Sequence, residues 1–266
     1  MKVFRDKSSA ASGDNEAVVH IVHSGRNVMM RPGYKDVVSM VKQLVNLPEE
    51  IFEHTYRPLM DHYAQFVQSL SLPGSKDTLM LDQGMRRSLG ALKQCVAKVR
   101  ANKGFGFDEN RLLFAIFSAA LLYGIGRLCQ DRVVVQCTEK GRYLKTWYPN
   151  SGPIDQGFYK VRATSSASHE IVVALHQIYA QAILPNYCLS WLLEDERLYL
   201  MWQSALEDFQ SGFSDFEMEL NLDLLAELVA KDIHLLLETE TYLPQETLEG
   251  ERFWAWLKEK IEKNKA

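Results

Sequence analysis

Histidine and cysteine are the side chains of this 266-residue chain best suited to holding a metal or acting as a nucleophile, so their spacing comes first. The seven histidines are His20, His23, His54, His62, His169, His176 and His234. Two imidazoles on one helix chelate one ion only when about a turn apart. His54 and His62 are separated by roughly 12 Å of helix rise, and His169 and His176 by roughly 10 Å. On a strand His20 and His23 point to opposite faces. Surface or hydrogen-bonded histidines are therefore expected, with a metal assembled from distant segments left open. Cys95, Cys129, Cys137 and Cys188 form no CxxC pair and sit among apolar residues. Buried thiols in a reducing compartment are expected, with a Cys129–Cys137 bridge as the alternative. Gly124-Ile125-Gly126-Arg127 invites a phosphate-loop reading. It lacks the Gly-Lys-Ser/Thr ending and follows a helical pattern rather than a strand, which makes it a helix terminus. No GxSxG occurs, and nothing local marks a Cys–His pair.

Charge comes next. Arg86, Arg87, Lys93, Lys98, Arg100 and Lys103 give residues 86–103 a basic helix. Phosphates of a nucleic acid would suit it, but the solvated side of an amphipathic helix explains it as well, and no aromatic platform is interleaved. The net charge of −4 divides into +7 over residues 1–150 and −11 over residues 151–266. That asymmetry bears on partners rather than fold. From Glu194 to Glu251 sixteen acids face only Arg197 and Lys231, and Phe253, Trp254 and Trp256 follow. Those aromatics either complete the protein's own core or anchor a protein partner.

The elements that must position these residues are mostly helical. Residues 1–16 read as a flexible leader, and 17–266 as one domain, since no linker divides it. With 47% apolar residues the chain can bury a sizeable core. Ala17–Ser24 is β-like, and Asn27–Arg31 is placed to pair with it. Helices are expected from Tyr34, from Pro48 to about Leu70 with a break near Pro58, and over Met85–Lys103. A buried central helix should follow Asp108 as its cap. Arg132–Cys137 and Arg142–Trp147 read as a hairpin, residues 149–157 as a loop, and 166–184, 195–210, 221–239 and 245–263 as helices. The stretch Leu112–Ile125 is too short to span a bilayer. The opening Met1–Lys7 has no apolar signal region, so an intracellular protein is expected.

Several segments together resemble one family. Leu44-Val45-Asn46-Leu47-Pro48, Phe52–Leu59, Tyr63–Gln68, Ile183-Leu184-Pro185 and Leu189–Leu192 are similar to blocks of the TraI-type domain of MobH conjugative relaxases, within the HD phosphohydrolase-like group. The family's Leu-Asp-His-Gly and His-Asp-Ile-Gly-Lys elements correspond to Leu81-Asp82-Gln83-Gly84 and Tyr123-Gly124-Ile125-Gly126-Arg127. The likeness covers roughly residues 37–235 as scattered blocks. Gln83, Tyr123 and Gly124 stand where the resemblance implies metal ligands, and Arg127 where it implies lysine. A phenol is a poor ligand at neutral pH and glycine offers none. His169 and Asp232 align too loosely with the family pattern to restore the site.

The expectation is therefore a mostly α, HD-like helical domain with a small β hairpin, a degenerate site, no metal and no cofactor. Within the group, the size and the missing site resemble accessory proteins of type IV secretion coupling complexes. The implied role is a non-catalytic adaptor, cytoplasmic and peripheral at the inner membrane, bound to protein partners and not itself inserted. The rival readings are a relaxase-like nucleic-acid binder and a phosphohydrolase using substituted ligands.

Overall fold

A computed structural model describes residues 18–73, 78–101, 108–165, 167 and 169–207. In chain order its elements are strand β1 (His20–Ile21) and helices α1 (Gly25–Met29), α2 (Pro32–Val45), α3 (Glu49–His54), α4 (Tyr56–Val67), α5 (Met80–Ala101) and α6 (Glu109–Leu122). Strands β2 (Arg132–Cys137), β3 (Tyr143–Trp147) and β4 (Phe158–Ala163) follow, then helices α7 (His169–Ile183), α8 (Asn186–Leu193) and α9 (Glu196–Glu207). The protein is mostly α with a small antiparallel sheet, as the periodicity implies.

The core is built around α6. Asp108 accepts a hydrogen bond from the Arg111 amide at 2.8 Å, which satisfies one orphan donor of the helix start. Every residue from Leu112 to Leu122 is buried, because α5, α8, α9 and α4 pack around it. Glu109–Leu128 is long and apolar enough to cross a membrane, but 78% of it is buried inside the fold. Its single mid-helix hydroxyl, Ser118, bonds back to the Phe114 carbonyl at 2.7 Å and accepts from the Trp202 indole at 3.0 Å. A polar group inside an apolar helix is thereby paired.

Local chemistry sets the other boundaries. Glu49 and Glu50 suit the positive end of α3. The helix breaks at Thr55, whose hydroxyl bonds the Ile51 carbonyl at 2.7 Å. Pro58 lies in the first turn of α4, where a missing N–H is harmless, so the break precedes it by three residues. Helix α5 starts at Met80, five residues before the apolar pattern becomes regular; the Tyr63 hydroxyl donates to the Met80 carbonyl at 3.1 Å.

The sheet order is β1-β4-β2-β3, all antiparallel. The β2–β3 hairpin is the expected one, with Val134 opposite Trp147 and a bulge at Gln136/Cys137. Two strand readings are corrected. Asn27–Met29 is helical, because the Ser24 hydroxyl accepts from the Asn27 amide at 3.3 Å and caps α1. The partner of β1 is instead β4, with His20 opposite Tyr159. Nor did the loop after Trp147 lead straight into helices, since Phe158–Ala163 is the strand that completes the sheet. Cys95, Cys137 and Cys188 are buried free thiols, so no Cys129–Cys137 bridge forms. The leader 1–16 and the helices expected at 221–239 and 245–263 lie outside the described residues.

Candidate functional site

The two motif segments meet where α5 packs on the end of α6. In Leu81-Asp82-Gln83-Gly84, Leu81 is buried and Asp82 accepts a hydrogen bond from the Tyr34 hydroxyl of α2 at 2.5 Å. Burial, and then the Asp82 carboxylate beside it, hold the Tyr34 phenol well above the ordinary tyrosine range. The one carboxylate of this motif thus ties α2 to α5. Gln83 is half-buried, and one turn further along the same helix face stands Arg87, only 7% exposed.

Arg87 holds the terminus of α6. Its Nε donates to the Ala120 carbonyl at 2.5 Å and its Nη2 to the Tyr123 carbonyl at 2.7 Å. A helix of this length leaves its last carbonyls unpaired and partly negative, which is the environment a buried guanidinium needs. The same guanidinium lies 4.9 Å from the centroid of the Tyr123 ring, at cation–π distance. Tyr123 also meets the His176 ring at 6.3 Å, with the planes tilted by 41°. Arg87, Tyr123 and His176 form a continuous layer across α5, α6 and α7.

The chain then turns sharply. Gly124 has φ +77°, a left-handed conformation that glycine adopts without strain. At Gly126 a Cβ would fall 2.2 Å from the Val172 carbonyl oxygen and 2.4 Å from His176 Cδ2. Both glycines of the motif are therefore used by the backbone, while Arg127 is exposed.

A hard or borderline dication of the kind HD sites hold needs imidazole and carboxylate donors. At the matching positions are an amide, a phenol ring stacked under a cation, and a glycine. Asp82 is engaged by Tyr34, and Arg87 is permanently charged. These residues do not fit such an ion. Among the described residues no three His, Cys, Asp or Glu side chains gather. The His169 side chain and Asp232 lie outside them.

Three further histidines have structural contacts. His54 Nδ1 meets the Glu50 carbonyl at 2.7 Å and His62 Nδ1 the Ile183 carbonyl at 3.0 Å. A carbonyl only accepts, so each Nδ1 carries the proton. His20 stacks on Tyr159 at 5.0 Å, and burial lowers its basicity.

Within the basic helix, Arg87 turns inward, and Arg100 donates to the Leu44 and Val45 carbonyls at 2.8 and 3.1 Å while meeting Glu109 at 3.3 Å. Of its described cationic side chains, Arg86, Lys93 and Arg100 are exposed, as on the solvated side of an amphipathic helix. The spacing of Gln83 and Arg87, four apart, was the available signal that the arginine shares the motif's buried side. Exposed cations accompany aromatics along the β2–β3 hairpin: Lys140, Arg142 and Lys145, with Tyr143 and Tyr148 about 60% exposed. The sequence reading did not single out this run, although Arg142-Tyr143-Leu144-Lys145 places cations beside a ring. Phe253, Trp254 and Trp256 lie outside the described residues.

No curated protein matches the chain. A family model, TraI_2, described as a putative helicase, matches residues 19–232, and the chain belongs to that family.

Proposed function

We propose that this chain is a non-catalytic scaffold or adaptor of a type IV secretion or conjugation machine, built on an HD-like fold whose metal site has degenerated. The observation that carries the reading is the placement of Arg87. A buried guanidinium, bonded to Ala120 and Tyr123, occupies the interior of the layer where a catalytic dication would need anionic and imidazole donors. Like charge at short range opposes a dication there. The family's description as a helicase implies nucleotide-driven work, yet this chain contains no Gly-Lys-Ser/Thr phosphate loop. Elemental analysis of protein purified without chelator, with a phosphodiester assay in manganese, tests the catalytic half. Less than a tenth of an equivalent of transition metal and no turnover are expected, as an order of magnitude; about one metal per chain would overturn it. Pulldown from the native cell with mass spectrometry tests the adaptor half, with subunits of a secretion or conjugation complex as the expected catch.

A second reading has its own support. The exposed Lys140, Arg142 and Lys145 of the β2–β3 hairpin, beside Tyr143 and Tyr148, combine charge for phosphates with rings for bases. A nucleic-acid-binding, relaxase-related protein would use this hairpin. Affinity for a single-stranded oligonucleotide that falls steeply with salt, and disappears in Arg142→Glu with Lys145→Glu, favours this reading.

A further inference from the structure

Residues 171–193, which make up most of α7 and all of α8, contain no Asp, Glu, Lys or Arg. Their buried side supplies Val172, Tyr179, Ala180, Ile183, Cys188 and Leu192 to the core. Away from the core α7 also carries an apolar stripe: Ile171 is 54% and Ile178 50% exposed, and Ala174 and Ala182 continue it at helical spacing, bordered by Glu170, Gln177 and Gln181. An exposed apolar stripe rimmed by polar residues marks a surface that something covers.

The same chain carries a segment patterned to cover it. Leu222, Leu225, Val229, Ile233 and Leu236 recur at three- and four-residue steps, and Asp223, Glu227, Lys231, His234 and Glu238 fall on the opposite side of the same helical projection, with Leu224, Leu228 and Leu235 between the two. As a helix, 222–236 would extend ~21 Å, against ~16 Å for the stripe from Ile171 to Ala182. Helix α9 packs on α6, α7 and α8, so the chain continues past Glu207 from an element that is itself in contact with α7. The fourteen residues between Glu207 and Leu222 reach up to ~45 Å when extended, more than enough to turn back onto α7. The family match continues to residue 232, so the unit shared by the family takes in most of this segment. We propose that residues 222–236 dock as an amphipathic helix on the exposed face of α7, covering Ile171 and Ile178 and turning their acidic side to solvent. Tethering places the segment at millimolar effective concentration, ahead of any partner that must diffuse in.

Hydrogen exchange of the full chain, read peptide by peptide, tests the docking. Slowed exchange over 222–236 is expected, falling by about tenfold or more in Ile178→Asp, with α6 amides still protected as a report of the intact core. The reverse pair, Leu225→Asp with Val229→Asp, should release the same segment and raise the binding of a hydrophobic dye to the bared α7 face. Fast exchange over 222–236 in the unmodified protein overturns the proposal, and so does slowed exchange that Ile178→Asp leaves unchanged. Where Ile178→Asp also opens α6, the reverse pair decides, and an unchanged dye signal overturns the docking. Protection that grows with protein concentration assigns the contact to a second copy, which is also contrary to it.

Discussion

At the scale of single residues, Arg87 has more consequences than any other position in the candidate site. Removing it strips two carbonyls at the end of α6 of their donor and takes a cation off the Tyr123 ring. Arg87→Ala should therefore cost roughly 2–4 kcal/mol in urea denaturation, the range for charged hydrogen bonds to buried groups. A loss under ~0.5 kcal/mol would mean that solvent satisfies those carbonyls as well as the guanidinium does. Tyr123 is half-buried rather than enclosed, so Tyr123→Ala should fall below the ~3–5 kcal/mol typical of fully buried aromatics. Gly126→Ala meets a harder obstacle, since its Cβ would strike the Val172 backbone and the His176 ring. That variant should melt well below the parent in a thermal scan, whereas Gly33→Ala, with open space at its Cβ, should not. The departure of Gln83, Tyr123 and Gly124 from the pattern they resemble was legible in the sequence. The packing of Arg87 beside them was not. Arg87 looked like one of several cations on an amphipathic helix, and only three-dimensional packing turns it toward the end of α6.

At the scale of elements, legibility followed the strength of local patterns. Helix α6 and the β2–β3 hairpin were readable because caps, apolar runs and turn residues agreed with the tertiary outcome. Asp108→Ala should cost α6 about 1 kcal/mol, measured by denaturant titration, as expected for an N-cap. An unchanged midpoint would show that the 2.8 Å contact to Arg111 contributes nothing net. The short elements were poorly legible. Residues 18–31 are apolar enough for strands, yet the Ser24 cap converts part of them to α1 and leaves only His20–Ile21 in the sheet. Strand β4 alternates Tyr159 and Val161 with Lys160 and Arg162, a pattern hidden by the loop that precedes it. Its assignment depends on a partner, β2, twenty residues earlier, and no local rule supplies that pairing.

At the scale of the whole molecule, phenols tie the layers together and set a limit at high pH. Tyr63 is pushed up to about 12 by burial, and Tyr34, Tyr56 and Tyr159 are raised for the same leading reason. Each stays neutral in the fold after its unfolded counterpart, near pH 10, has ionised. Stability should be level through neutral pH and decline above ~10, with each such group adding up to ~1.4 kcal/mol per pH unit until its folded value is reached. Urea titrations between pH 8 and 11 test the sign, and a midpoint that does not move would contradict the assignment of these four phenols to the interior. The sheet has a different consequence, one of time. Among the described residues, His20 finds its strand partner at Tyr159, across 138 intervening residues. At a synthesis rate of 5–20 residues per second, a nascent chain would wait on the order of ten seconds after making β1 before its partner exists. Through that interval the helices from α1 to α6 can assemble from near neighbours, while the first strand emerges from the ribosome as an open edge. The β1–β4 ladder is thus closed late in translation, only once residues 158–163 have been made.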